Sequence, residues 1–174
     1  MKPDAVAAAN PSAAVPEGGL RVLPRTHSCF VCGKTNPWGL QLAFKTDGKI
    51  ATTRFVPQPH HIGFREVVHG GLLSTVLDEI MVWACTVQTG RFAYAAELTV
   101  RFQQPARPGE ELVFMAELVS NRRNRIYEAR GEVRNPAGQV LATATGKYIP
   151  IPPDTVRGML ADFADDTAGV LKEV

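Results

Sequence analysis

VVHGGLLSTVLDEIMVWACTVQTG, residues 67–90, is the stretch whose reading decides the fold. From Gly70 to Thr89 it holds no proline, and it ends at Gly90, a residue suited to the left-handed turn that closes a helix. The spacing predicts one long helix. Leu72, Leu73, Val76, Leu77, Ile80, Met81, Trp83, Ala84 and Val87 cover most of its circumference, so the helix must be buried on nearly all sides. Something has to wrap around it.

The wrapper is legible on both flanks. Upstream, LQLAFKT (40–46) and ATTRFVPQ (51–58) read as two strands around the turn Asp47-Gly48, a hairpin signal because glycine accepts positive φ. Downstream, AYAAELTVRFQQ (93–104), ELVFMAELVS (111–120), IYEARGEVR (126–134) and VLATATGKYIPI (140–151) have the alternation or apolar density of strands. In the first of these, Tyr94, Ala96, Leu98, Val100 and Phe102 point one way and Glu97, Thr99, Arg101 and Gln103 the other. Pro105 to Gly109 and Asn135-Pro136-Ala137-Gly138 mark turns, so short antiparallel connections are expected. The order is two strands, one helix, four strands. Residues 1–24, rich in Ala, Pro and Gly, read as a mobile tail, residues 25–152 as one domain, and residues 153–174 as a helical extension opening after Pro153.

A chain of 174 residues with 45% hydrophobic content suits a single core. Nineteen Lys and Arg against 17 acidic residues leave a formal charge of +2, which gives no chain-wide reason to expect nucleic acid or an anionic membrane. The long apolar stretch is interrupted by Asp78 and Glu79 and makes a poor membrane span. The opening residues lack a compact apolar core of the secretory kind, so a cytoplasmic location is expected. Three cysteines, Cys29, Cys32 and Cys85, do not suggest a disulfide framework.

Chemistry converges on the helix. His69-Gly70-Gly71 opens it, and glycines at a helix N-terminus let a ligand approach free N–H groups whose dipole favours negative charge. The plain alternative is that Gly70 and Gly71 only permit a tight entry into the helix. Asp78 lies among Val76, Leu77, Ile80 and Met81, where an ionised carboxylate is costly unless it is paired or has a task. Ser74 and Thr75, one turn before Asp78 and Glu79, offer a structural explanation through hydroxyl contacts. Gly70 and Asp78 are separated by roughly 12 Å of helix, whereas an attacking group and an oxyanion donor must both lie about 3 Å from one reacting carbonyl. If the two act together, two copies of the helix must face each other.

The segment VVHGGLLSTVLDEIM resembles the signature of the hotdog-fold thioesterases of the PaaI-like branch: His-Gly-Gly opening a buried helix, with an acid nine positions after the His. The resemblance spans about residues 27–151, including strand number and order. It implies an α+β hotdog fold, an antiparallel sheet of about six strands curled around one central helix. It further implies a homodimer or homotetramer and hydrolysis of acyl-CoA without metal or other cofactor. In that family the residue matching Gly70 offers its N–H to the thioester oxygen, and the residue matching Asp78, from the other subunit, is general base or nucleophile. His69 matches a residue that shapes the loop and positions substrate. Two departures stand out: relatives carry Asn or Gln where this chain has Gly63, and Ser or Thr where it has Ala95.

Other candidates surround this centre. Arg122, Arg123 and Arg125 cluster in a turn that in the family lies near the CoA phosphates, and guanidinium groups suit phosphate; with Gly71 they are the expected substrate contacts. His27, Cys29 and Cys32 are spaced like metal ligands, but a structural zinc site needs four and no second pair stands nearby, so no metal is expected. His60-His61 reads as a loop feature, and Met81, Trp83 and Cys85 as packing residues. Two functions remain open at this point: an acyl-CoA thioesterase, and a non-catalytic hotdog dimer that binds or senses acyl-CoA. A dehydratase is disfavoured, because no Asp and His pair stands at the spacing of the related hydratase branch.

Overall fold

The computed structural model describes residues 19–172. Its centre is α1, Gly70–Thr89, capped at the C-terminus by Gly90, whose φ of 75° lets its N–H return to Thr86 O at 2.7 Å. Val76, Leu77, Ile80, Met81, Ala84 and Cys85 are wholly buried. Each large apolar side chain among them contributes about 1.5–3 kcal/mol by leaving water. The helix is long and apolar enough to cross a membrane by composition, but here a sheet covers it.

That sheet has seven strands in the order β1-β2-β3-β7-β8-β9-β6. They are β1 Arg21–Val22, β2 Lys45–Thr46, β3 Ile50–Phe55, β6 Ala93–Phe102, β7 Leu112–Arg122, β8 Ile126–Arg134 and β9 Val140–Pro150, and all neighbours are antiparallel. The remaining strands, β4 Ile62–Phe64 and β5 Val67–Val68, form a small separate ribbon leading into α1. The sheet lies close against α1 at Gly131 on β8, where a Cβ would stand 3.3 Å from the side chains of both Leu77 and Met81. This is the α+β hotdog arrangement expected from the sequence, with one strand more than the six counted there.

The extra strand comes from the segment expected as tail. Residues 1–18 of that segment lie outside the described residues, but Arg21–Val22 pair with β2 and Leu23 is buried in the core. The strand expected over 40–46 is reduced to its last two residues. The reason is competition for hydrogen bonds: the amides of Leu40 and Leu42 donate to Phe30 O and Val31 O, and Gln41 turns the chain with a φ of 52°.

The helical extension forms as α2, Pro153–Met159, followed by a single tight turn at Leu160–Asp162. It folds back over the cysteine-bearing lead-in: His27 N donates to Asp162 O, Ser28 Oγ to Asp162 Oδ2, and Ala164 N to Arg25 O. Val156, Val170 and Leu171 complete the core from this end.

β6 closes the sheet on one edge. Its side chains were expected to alternate between two faces, and on the apolar one Tyr94 and Phe102 are more than half exposed. A ten-residue strand with one unpaired edge and exposed aromatics is a template for further pairing.

Candidate active site

The helix entrance is shaped by His69. Its extended backbone caps α1, and its Nδ1 accepts the Gly71 N–H at 2.9 Å, so the ring proton resides on Nε2. Its own N–H donates to His61 O at 2.9 Å. The Gly71 amide is therefore spent on the cap, whereas the Gly70 N–H has no protein acceptor among the described residues. A Cβ at Gly70 would sit 3.0 Å from the half-exposed Phe102 ring, which would have to give by a few tenths of an ångström, and one at Gly71 would sit 2.8 Å from His69 Nδ1, inside the cap itself. Gly70, His69, Gly63, Phe64, Leu73 and Phe102 line a cavity of about 390 Å³.

Asp78, two turns on, lines a different cavity of about 500 Å³, walled by Cys29, Cys32, Glu79, Trp83, Tyr94 and Phe163 among others. Burial raises its pKa, and the Tyr148 hydroxyl, donating to Oδ1 at 3.4 Å, partly offsets that. Tyr148 is wholly buried on β9, and its ring lies over Gly146, where a Cβ would meet it at 2.8 Å. Sequence reading missed Tyr148, since alternation along β9 shows that it points inward but not that it reaches the acid. The hydroxyls that offered a structural alternative for the acids bond elsewhere: Ser74 donates to Gly70 O and Thr75 to Gly71 O.

Glu79 lines the same cavity, and burial, followed by the nearby Cys29 sulfur, pushes its pKa up to about 7. The Cys29 thiol is held down to about 6, chiefly by a hydrogen bond from the Cys32 thiol and, against the opposing effect of burial, by the amides of Cys32 and Val31. Cys32 is shifted upward by its bond to Cys29 and by burial. Of the packing residues, Met81 and Cys85 are fully buried and Trp83 nearly so, with the Cys85 thiol pushed by burial to about 12 and thus inert.

The acid and the free amide occupy separate cavities with no lining residue in common, so one copy of the chain brings Asp78 and Gly70 together nowhere. The arginines form a third surface. Arg123 and Asn124, with φ of 55° and 54°, make the β7–β8 turn, and Arg122, Arg123 and Arg125 line an open cavity of about 610 Å³ with Ile126 and Ile149. Arg122 also pairs with Glu128 at 2.9 Å. Ile149 is the register partner of Tyr94, which lines the Asp78 cavity, so the arginine surface and the acid cavity adjoin across β6 and β9. His61 Nδ1 accepts the Gln58 N–H and its ring sits beside Phe55 and His60; the His pair lines neither the acid nor the glycine cavity.

Residues 66–142, which carry the helix entrance, the acid and the arginine turn, match the family model of the thioesterase superfamily. This stretch, a little under half of the chain, is similar to the thioesterase superfamily. A curated relative from Archaeoglobus fulgidus, named "Putative esterase", is 30% identical over 96 residues, covering 55% of this chain. The chain spans 61% of the length of that relative. Among solved structures, the E. coli PaaI protein of the phenylacetic acid degradation operon is similar at a TM-score of 0.60, with 23% identity over 65% of this chain and 81% of that one. A Streptococcus mutans protein, smu.793, solved with acetyl CoA, is similar at 0.55, with 18% identity over 59% of this chain and 82% of that one.

The two departures at Gly63 and Ala95 have structural counterparts. At Gly63 a Cβ would stand 2.9 Å from His69 Cδ2, so no amide side chain fits without moving the cap. Ala95 lines the acid cavity and pairs in register with Tyr148, so the hydroxyl nearest Asp78 comes from the neighbouring strand.

Proposed function

We propose that this chain hydrolyses acyl-CoA thioesters carrying small, medium-chain or aryl acyl groups, at two equivalent sites shared between two copies. The observation that carries the reading is the half-buried Asp78, aimed into a cavity and bound, among the described residues, only by Tyr148, on the same helix that leaves the Gly70 N–H free in another cavity. Packing two copies through β6 continues the sheet and sets the acid of one against the amide of the other.

In such a site the thioester carbonyl accepts the Gly70 N–H, which stabilises the negative charge that develops on oxygen during attack. Asp78 either takes a proton from water as water adds to the carbonyl carbon, or adds itself and is released by water. In both routes the C–S bond breaks, the thiolate of CoA leaves and is protonated, and the free acid remains. Tyr148 orients Asp78 as a positioning residue, and His69 holds the amides of the helix entrance in place. Arg123 and Arg125, with Arg122, take the phosphates of CoA. The similarity in fold to a protein solved with acetyl CoA supports this ligand class. The proposed setting is the cytoplasm.

The test is a panel of acyl-CoAs followed by free-thiol release, run beside thermal-shift binding of the same panel. Asp78→Asn should remain a folded dimer and lose about three orders of magnitude in kcat. Full activity in that variant would end the proposal. The absence of a polar side chain at Gly63 and Ala95 favours one other reading, an acyl-CoA sensor. Binding without turnover on every thioester would select it.

A further inference from the structure

One cluster is used by none of this chemistry. The Sγ atoms of Cys29 and Cys32 and a carboxylate oxygen of Glu79 all lie within 4.8 Å of one another. The first two come from the segment between β1 and β2 and the third from the middle of α1, 50 residues along the chain from Cys29. His27, the third ligand suggested by spacing, is not part of the cluster.

The local backbone is built around a coordinating sulfur. The amides of Val31 and Cys32 both point at Cys29 Sγ, at 3.2 and 3.5 Å. Such N–H groups favour a sulfur that carries negative charge. The turn also demands Gly33, where a Cβ would strike Cys29 O at 2.3 Å. Glu79 faces this sulfur at 4.0 Å, and no Lys or Arg pairs with it among the described residues. A carboxylate buried beside two sulfurs has hydrogen-bond donors there but no cationic partner among the described residues. Beside it the indole N–H of Trp83, 3% exposed and lining the same cavity, makes no hydrogen bond of standard geometry but lies close enough to Glu79 to favour its charged form.

We propose that Cys29, Cys32 and Glu79 bind one zinc-class divalent cation per chain, pinning the lead-in to α1 at the wall of the Asp78 cavity. Two sulfurs and one oxygen suit a borderline-soft ion, and tetrahedral zinc places such donors about 3.5–3.8 Å apart. The present spacing reaches that with side-chain shifts of about 1 Å. All three ligands line the cavity, so the fourth position is open to water from it, and the Trp83 N–H is available to that water or to the second oxygen of Glu79. This disagrees with the sequence expectation of no metal, which counted only the ligands visible by spacing. It is independent of the thioesterase reading.

The test uses the reduced full-length protein, stripped by chelator and titrated with cobalt(II). The expected result is a sulfur-to-cobalt charge-transfer band with tetrahedral d–d bands, saturating at one equivalent and bleached by zinc. Cys29→Ser should abolish the band, and Glu79→Gln should weaken binding by about tenfold or more. Should Cys29→Ser not fold, protection of the wild-type thiols from alkylation by zinc, lost in Glu79→Gln, decides the same point. A folded, reduced protein with no charge-transfer band overturns the proposal, as does a band that Cys29→Ser leaves intact. A Cys29–Cys32 disulfide whose reduction yields thiols indifferent to metal also overturns it. No substrate enters any of these readings, so their failure would leave the hydrolase proposal untouched.

Discussion

Gly70 carries two demands at once: its N–H must stay free, and its missing side chain makes room for Phe102. Gly70→Ala keeps the N–H but forces a methyl group into the Phe102 ring at 3.0 Å, so either the ring or the amide must move. A shift of a few tenths of an ångström at the amide should cost well under the ~10² in rate that a misplacement of about 1 Å carries, with kcat falling more than KM rises. Adding Phe102→Ala removes the collision, and steady-state kinetics of the double variant should show recovery toward wild type. A double variant no faster than Gly70→Ala would mean that the glycine serves something other than the approach of that ring. Asp78 and Gly70 are legible in the sequence because helix spacing is local. Tyr148 and the Cys29–Glu79 contact are not, since both depend on which elements the fold brings together.

Among the elements, the β2–β3 hairpin shows why a short motif can be read with success. Asp47 Oδ1 accepts the N–H groups of Lys49 at 2.8 Å and Ile50 at 2.7 Å, and Gly48 takes a φ of 97°. Slight desolvation pushes the Asp47 pKa up, but the amides of Ile50 and Lys49 outweigh it, and the net shift is downward. A carboxyl depressed in the folded state contributes stability above its unfolded pKa and loses it as pH falls through the folded value. Asp47→Ala should therefore destabilise by about 1 kcal/mol at neutral pH. Thermal melts should show that gap narrowing below about pH 4; a gap constant with pH would exclude the carboxylate as its source. The strand before this turn was misjudged over 40–44 because its alternation is real but its amides are spent on the cysteine-bearing lead-in. β1 was missed because a two-residue strand inside an Ala, Pro and Gly-rich stretch has no periodicity to detect.

For the whole molecule, the separation of the acid and amide cavities makes a prediction about mixtures of inactive variants. Asp78→Asn and Gly70→Val should each be inactive as pure dimers. In a mixed dimer one site inherits both lesions and the other inherits neither. Denaturing and refolding the two variants together should return about one quarter of wild-type activity by random assortment. No recovery, with mixed dimers verified by mass, would show that each copy works with its own acid and amide.

The back-folded end of the chain has a consequence for which molecules fit. Met159 and Phe163 belong to the lining of the Asp78 cavity, whereas the arginines line a neighbouring one. A nucleotide anchored at the arginines would thread its acyl tail toward Met159 and Phe163, which then act as a ruler. Trimming it with Phe163→Ala should shift preference toward acyl-CoAs longer by a few carbons, read as the ratio of kcat/KM along a homologous series. An unchanged length profile would place the ruler elsewhere.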